Sequence, residues 1–321
     1  MSHLPSTVVI NEDGPREGFQ MESAAIPTAN KIALIDALAA TGIREIQIAS
    51  FVSPRKVPSM ADAEAVVAGV RPREGVAFTG LYLNEQGLRR ALATGRLHIE
   101  GGISLCASAA FLRRNQNATP ASQREARRAM IGVFQEAGVQ ILRGSVSAAF
   151  GCNFEGDIPL ERLLATVRAV FAIAEEFDIE LEELGLSDTM AWANPQQIRR
   201  TIGALRDAYP EIRLCLHLHD TRGLALANAL AGLEMGVRHF DSSVGGLGGC
   251  PFAAHKGAAG NLCTEDFVLM CEEMGVRTGI DLDRLVEAAL LAERIVGHPL
   301  PGSVMRGGSL SALRRRAAGA A

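Results

Sequence analysis

Short apolar runs alternate with amphipathic stretches along the whole chain. Runs of strand character fall near residues 7–12, 43–51, 76–83, 98–105, 140–148, 179–187, 213–219 and 239–244. Helical spacing fills the gaps between them. In ANKIALIDALAATG, Ile32, Ile35 and Leu38 share one face, and Gly42 follows as a stop. SQREARRAMIGVFQEAG, PLERLLATVRAVFAIAEEF and LALANALAGLEMG repeat the pattern. Eight strands separated by helices are the βα alternation of a parallel sheet, and they predict an α/β fold, the TIM (β/α)₈ barrel. A doubly wound open sheet is the alternative, but no GxGxxG follows the first strand. The barrel is expected over 7–262 within a single domain. Two further helical stretches, TEDFVLMCEEMG and DLDRLVEAALLAERIVG, predict C-terminal cap helices over 263–300. Residues 301–321 are expected to form a flexible tail.

Composition narrows the partners. Hydrophobic residues make up 48% of the 321, enough for a sizeable core. A net charge of −4 gives no reason to expect nucleic acid, and the one basic tract is Arg314-Arg315-Arg316 in an Ala-rich end. No run reaches the roughly 18 apolar residues a membrane span needs. The first residues lack the charged-then-apolar pattern of a signal peptide. Six cysteines without CxxC spacing, set in apolar segments, point to reduced thiols and a cytoplasmic location.

Function in such barrels collects at the C-terminal ends of the strands. The first strand ends in NEDGPREGFQ, where Gly14-Pro15 bends the chain and Arg16 stands beside Glu17. That is the composition either of a solvated loop or of an active-site rim. The strongest local signal is CLHLHDTRG. Alternation on a strand sends Cys215, His217 and His219 to one face and Leu214, Leu216 and Leu218 to the other. Two imidazoles on one face are either hydrogen-bonded core histidines or ligands of one divalent cation; the adjoining Asp220 tilts the reading to metal. FDSSVGGLGGCPFA carries four glycines in five residues and predicts a hinged loop with Cys250 on it. A cysteine on such a lid can deliver a proton to a closed site, although a plain flexible loop or a phosphate cradle has the same composition. Asn261 follows, either a metal ligand or a turn organiser, with Thr264 a plausible helix cap. Asp188 ends the sixth strand as a base or as a helix cap. Gln47 lies on the second strand, and Arg55 and Lys56 lie on the loop after it, either in solvent or facing a substrate phosphate.

GPREGFQ, ASFVSPRKVPSMAD, AAFGCNFEG, LSDT, HLHDTRGLALAN and DSSVGGLGGCPFA with AAGNLCTED together resemble the 3-hydroxy-3-methylglutaryl-CoA lyase family, over about residues 7–290. The resemblance implies a metal-dependent carbon–carbon lyase acting on a 3-hydroxy-3-substituted dicarboxylyl-CoA, either HMG-CoA or a relative such as citramalyl-CoA. It implies Mg²⁺ or Mn²⁺, held by Glu17, His217, His219 and Asn261. It implies no organic cofactor, since CoA belongs to the substrate. It makes Arg16 the enolate stabiliser, Asp188 part of the hydroxyl proton relay and Cys250 the lid proton donor, with Gln47 beside them. It places Ser50, Arg55 and Asn84 at the CoA, and it implies a homodimer or homotetramer. The chain departs from its relatives at several points. They carry Asp at Glu17, Glu at Gln47, commonly Glu at Ala109, and a small apolar residue at Asp13. Those changes leave two alternatives open: an aldolase or Claisen-type enzyme on a non-CoA substrate, or a weakly active or non-catalytic metal- or acyl-CoA-binding homologue.

Overall fold

The computed structural model describes residues 4–22, 26–248 and 260–319. In chain order its main elements are β1 (Val9–Glu12), α1 (Thr28–Ala39), β2 (Glu45–Ser50), α2 (Ala63–Gly69), β3 (Ala77–Leu81), α3 (Glu85–Ala93), β4 (Gly101–Cys106), α4 (Ala109–Gln116), α5 (Pro120–Glu136), β5 (Ile141–Ser147), α6 (Leu160–Glu176), β6 (Glu183–Asp188), α7 (Pro195–Ala208), β7 (Arg213–Leu218), α8 (Ala225–Glu234), β8 (His239–Ser242), α9 (Thr264–Glu273), α10 (Leu282–Val296), α11 (Val304–Gly307) and α12 (Leu310–Gly319). All eight expected strands are present, each followed by helix. A short antiparallel hairpin, Gly151–Cys152 with Gly156–Asp157, interrupts the alternation after β5.

The chain forms two compact units. One is built on Ile99–Asp241 and carries β4, β5, β6, β7 and most of β8 in parallel pairing. The outward residues of its strands are apolar and fully covered: Val146, Leu184, Leu186, Leu216 and Leu218. Val167, Val170, Ile198, Ile202, Leu205 and Ala229 bury the matching helix faces. Burial of each large side chain of this kind contributes about 1.5–3 kcal/mol. Gly232 on α8 is required by this packing, because a Cβ there would stand 2.6 Å from Leu216 Cδ1. The inward residues of the same strands are mostly polar, among them Arg143, Ser145, Glu183, Ser187, His217 and Asp241, with Gly185 and Cys215 between them.

The second unit holds Ser6–His98, Ser242–Gly248 and the chain from 260 onward. Here β1, β2 and β3 pair in parallel. On α1, Leu34, Ile35 and Leu38 are fully buried, while Ile32 packs instead against Gly69 of α2. Lys31 is buried with them, and its ammonium donates to Ser59 O and to Asp62, both at 2.6 Å. Gly42 ends this helical segment with φ +100°. α9 and α10 bury Phe267, Val268, Leu285 and Ala289. Within the stretch expected as a flexible tail, residues 304–307 and 310–319 form α11 and α12, and Arg314 and Arg315 pair with Glu273 and Asp283 at 2.7 and 2.6 Å. The basic tract thus ties the last helix to α9 and α10, although such exposed pairs contribute only about 0–1 kcal/mol each.

Candidate active site

In the first unit, β7 turns His217 and His219 to the same side. Their Nε2 atoms stand 3.2 Å apart. That is close to the roughly 3 Å separating two adjacent ligands of an octahedral ion with bonds of about 2.1 Å. His219 is buried and His217 nearly so. Asp241 of β8 meets His217 from the far side of the ring, with Oδ2 3.2 Å from Nδ1. An imidazole that donates from Nδ1 presents a bare lone pair at Nε2, the form in which histidine binds metal. Asp241 has no assigned role in the sequence reading. The signal was available, since His239 and Asp241 alternate on β8 as Cys215 and His217 do on β7.

Asp188 ends β6 and is 1% exposed. Burial pushes its carboxyl up from 3.8 to about 6, against hydrogen bonds from Trp192 N and Ala193 N and the electrostatic pull of His219 and Arg222. Those amides donate to its two oxygens at 2.7 and 3.1 Å. The helix-cap alternative does not hold: Asn194 caps α7, accepting from Gln197 N. Asp188 therefore pins the 189–193 turn and stays poised to hold or release a proton near neutral pH. Arg222, from the histidine motif, braces the same turn by donating to Met190 O and Ala191 O at 2.9 and 3.1 Å.

In the second unit, β1 runs into a wide turn of π-helical form, Gly14–Gly18, opened by Pro15. The Arg16 guanidinium is held from three sides. Its Nε donates to Gln47 Oε1, Nη1 pairs with Glu17 at 2.8 Å, and Nη2 reaches Asp13 at 3.4 Å. Gln47 thus acts as a neutral acceptor that orients the arginine, and Asp13 supplies a carboxylate on the same group. Burial rules out the solvated-loop reading of NEDGPREGFQ: Asp13 is buried and Arg16 and Glu17 are nearly so.

Beneath the turn lies a residue the sequence did not flag. Glu12 is fully buried and accepts from Gly14 N (2.8 Å), Val244 N (2.9 Å) and the Thr264 hydroxyl (2.7 Å). Burial is the largest influence on its carboxyl and raises it from 4.5 to about 8; those three donors lower it and Asp13 raises it further. Gly14 must be glycine, because a Cβ would fall 2.5 Å from Glu12 Oε1. Thr264 consequently does not cap α9 as expected: it is the first helical residue, and its hydroxyl is committed to Glu12 and Ser242.

Asn261 is 2% exposed. Its Nδ2 reaches Leu247 O at 3.5 Å, while Oδ1 is buried without a hydrogen-bond partner. A buried carbonyl oxygen left in that state suits a cation ligand. Ser50, at the end of β2, is likewise buried with an unpartnered hydroxyl. Arg55 is exposed. The Asn84 side chain caps α3, with Oδ1 accepting from Gly87 N at 2.9 Å, which leaves its amide nitrogen for any ligand. Cys250 lies outside the described residues. Five other cysteines are free and buried. One of them, Cys263, has its ligand atom within 4.8 Å of those of Glu265 and Asp266. Burial pushes the Cys263 thiol well up and the Glu265 carboxyl to about 7, which disfavours the charged forms of these two groups that a cation would need.

The HMGL-like family model matches residues 7–291, and the chain belongs to that family. The hydroxymethylglutaryl-CoA lyase YngG of Bacillus subtilis is 39% identical over 302 residues, which cover 92% of this chain and 96% of that protein. A crystal structure of the Bacillus subtilis HMG-CoA lyase aligns with a TM-score of 0.86 at 38% identity, covering 94% of this chain and 98% of the other. An HMG-CoA lyase from Acinetobacter baumannii, solved in complex with coenzyme A and 3-methylmalate, aligns with a TM-score of 0.86 at 36% identity, covering 97% and 98%. No helix among the described residues is long and apolar enough to cross a membrane.

Proposed function

We propose that this protein is a divalent-metal-dependent lyase that cleaves a 3-hydroxy-3-substituted dicarboxylyl-CoA, HMG-CoA or a relative such as citramalyl-CoA, to acetyl-CoA and an oxo acid. The observation that carries the reading is the imidazole pair: two Nε2 atoms 3.2 Å apart, one ring oriented by a carboxylate, in a chain of this family. The unpartnered Asn261 Oδ1 supports a cation as well. His217, His219, Glu17 and Asn261 are the residues that would hold Mg²⁺ or Mn²⁺. When bound, the ion acidifies and orients the substrate hydroxyl.

The remaining work falls to the chain. Asp188, with its carboxyl raised only to about 6, is ionised at neutral pH and accepts the hydroxyl proton. Loss of that proton drives the bond between the tertiary carbon and the acyl α-carbon to break. The enolate of acetyl-CoA that leaves needs positive charge, which Arg16 supplies. Gln47 fixes the direction of the guanidinium without cancelling its charge, and Asp13 and Glu17 hold it from the other edges. Cys250 delivers the final proton. Ser50, Arg55 and the free amide nitrogen of Asn84 receive the CoA. The intact ring of partners around Arg16 favours a retuned site over a decayed one. Free, buried cysteines support a cytoplasmic setting, and a homodimer or homotetramer is the assembly the family implies.

Turnover of a small panel of 3-hydroxyacyl-CoA esters, with and without Mg²⁺ or Mn²⁺, tests the reading. Cleavage of at least one ester is expected, lost in chelator and restored by either ion. Full activity in exhaustively chelated protein, with no metal by elemental analysis, would overturn it.

A further inference from the structure

Asp241 stands beside His217 by construction. β7 and β8 are parallel, and their register pairs His239 with Cys215, Phe240 with Leu216 and Asp241 with His217. Paired residues of neighbouring strands sit about 4.8 Å apart and face the same way. Phe240 and Leu216 go to the buried outer layer; the other two pairs go inward. Both carboxylate oxygens of Asp241 are then engaged by β7. Oδ2 takes the Nδ1 side of His217 at 3.2 Å, and Oδ1 lies 3.5 Å from Cys215 Sγ. Cys215 is buried, and its thiol is the donor to that carboxylate oxygen. The Asp241 side chain is therefore fixed from below by a thiol and faces one nitrogen of one histidine.

We infer that Asp241 is the positioning residue of the histidine pair: by holding the Nδ1 proton of His217 it keeps Nε2 bare and aimed beside His219 Nε2, and so sets how tightly the chain binds a divalent cation. This inference rests on the metal reading above. Asp241 does not compete as a ligand on the Nε2 side, because the imidazole ring lies between its carboxylate and the point where the two Nε2 atoms converge. Its effect passes through the ring in two ways. It selects the tautomer with the lone pair at Nε2, and its negative charge makes that lone pair a stronger donor to a cation. Without it, His217 is free to place its proton on Nε2, where the 3.2 Å separation from His219 makes an N–H···N hydrogen bond favourable and closes the space a cation needs.

The test uses the full chain labelled with ¹⁵N-histidine, as wild type, Asp241→Asn and Asp241→Ala. Long-range ¹H–¹⁵N spectra of the metal-free proteins read the His217 tautomer, with a His217→Gln spectrum to assign it. Mn²⁺ titration followed by electron paramagnetic resonance reads affinity. In wild type, Nδ1–H is expected. In Asp241→Ala, the signals should move toward Nε2–H, and Mn²⁺ affinity should fall by about 10–100-fold. Asp241→Asn keeps an acceptor of the same shape without the charge, and a fall of about ten-fold is expected. If Asp241→Ala fails to fold, the Asn variant carries the test. Wild-type Mn²⁺ affinity and unchanged His217 shifts in the variants would overturn the role of Asp241 and leave the metal reading standing. A wild-type chain that binds no Mn²⁺ would overturn the metal reading and this inference with it.

Discussion

The end of β7 and the end of β1 deliver functional side chains in opposite ways. On β7 the backbone is regular, and period-two alternation alone puts His217 and His219 on one face with Nε2 atoms 3.2 Å apart. Their neighbour Asp241 follows from strand register. On β1 the strand stops at Glu12, and Arg16 rides on a wide turn whose shape depends on partners elsewhere. Glu12 Oε1 accepts from Gly14 two residues away and from Val244, 232 residues away. A strand can place a side chain using its own geometry. A turn carrying a charged residue has to be held, and here the holder is a buried carboxyl whose energetics depend on pH. The difference predicts that damage at the strand ends shows first in chemistry, while damage beneath the turn shows first in stability.

The largest effect is expected at a strand end. Asp188→Asn should lower turnover by about 10²–10⁴-fold, the usual contribution of a positioned base. It should also remove a limb of the pH profile. Burial raises the Asp188 carboxyl to about 6, so in wild type the base is protonated as pH falls through that value and the rate drops with it. The Asn variant should show no such limb. An undiminished acid limb in the variant would assign it to another group and take Asp188 out of the proton relay.

Under the turn, Glu12→Ala leaves two backbone N–H groups and the Thr264 hydroxyl without their acceptor, each at a cost of about 1–3 kcal/mol. Chemical denaturation should show a loss of about 3 kcal/mol or more. The pH dependence sharpens the point. The Glu12 carboxyl is raised by folding from 4.5 to about 8, so the native state binds its proton more tightly than the unfolded chain does. Its contribution is intact below 4.5 and lost as pH rises through the window up to about 8. Glu12→Gln should flatten stability across that window. Equal slopes of unfolding free energy against pH in wild type and the Gln variant would show that Glu12 does not titrate there.

The smallest effect concerns the tuning of the turn. Glu17 is one methylene longer than the Asp that the family resemblance implies at that position, and Gln47 lacks the charge of the Glu that it implies. Both touch Arg16. Groups sharing one partner are not additive. Glu17→Asp alone and Gln47→Glu alone should be neutral or harmful on the true substrate, while the double change should recover some HMG-CoA cleavage. A large gain from Glu17→Asp by itself on every ester would mark the site as degraded, and the weakly active homologue would become the better reading.

Much of this was written in the order of the residues. Eight apolar runs spaced by helical periodicity determined eight strands with helices between them, because side-chain period depends only on local backbone geometry. The same period exposed His217 and His219. Motifs along most of the length carried the family, which the match over 7–291 bears out. Other features depended on contacts between distant segments. Glu12 looked like one acid among several in NEDGPREGFQ, and only burial under Val244 and Thr264 gave it a raised carboxyl and a structural task. Thr264 lost its expected capping role to the same contact. Arg314, Arg315 and their neighbours read as a frayed end until Glu273 and Asp283 were placed within reach. Periodicity fixes which way a side chain points, but burial and pairing depend on what the rest of the chain brings to meet it, and that is settled only when the chain has folded.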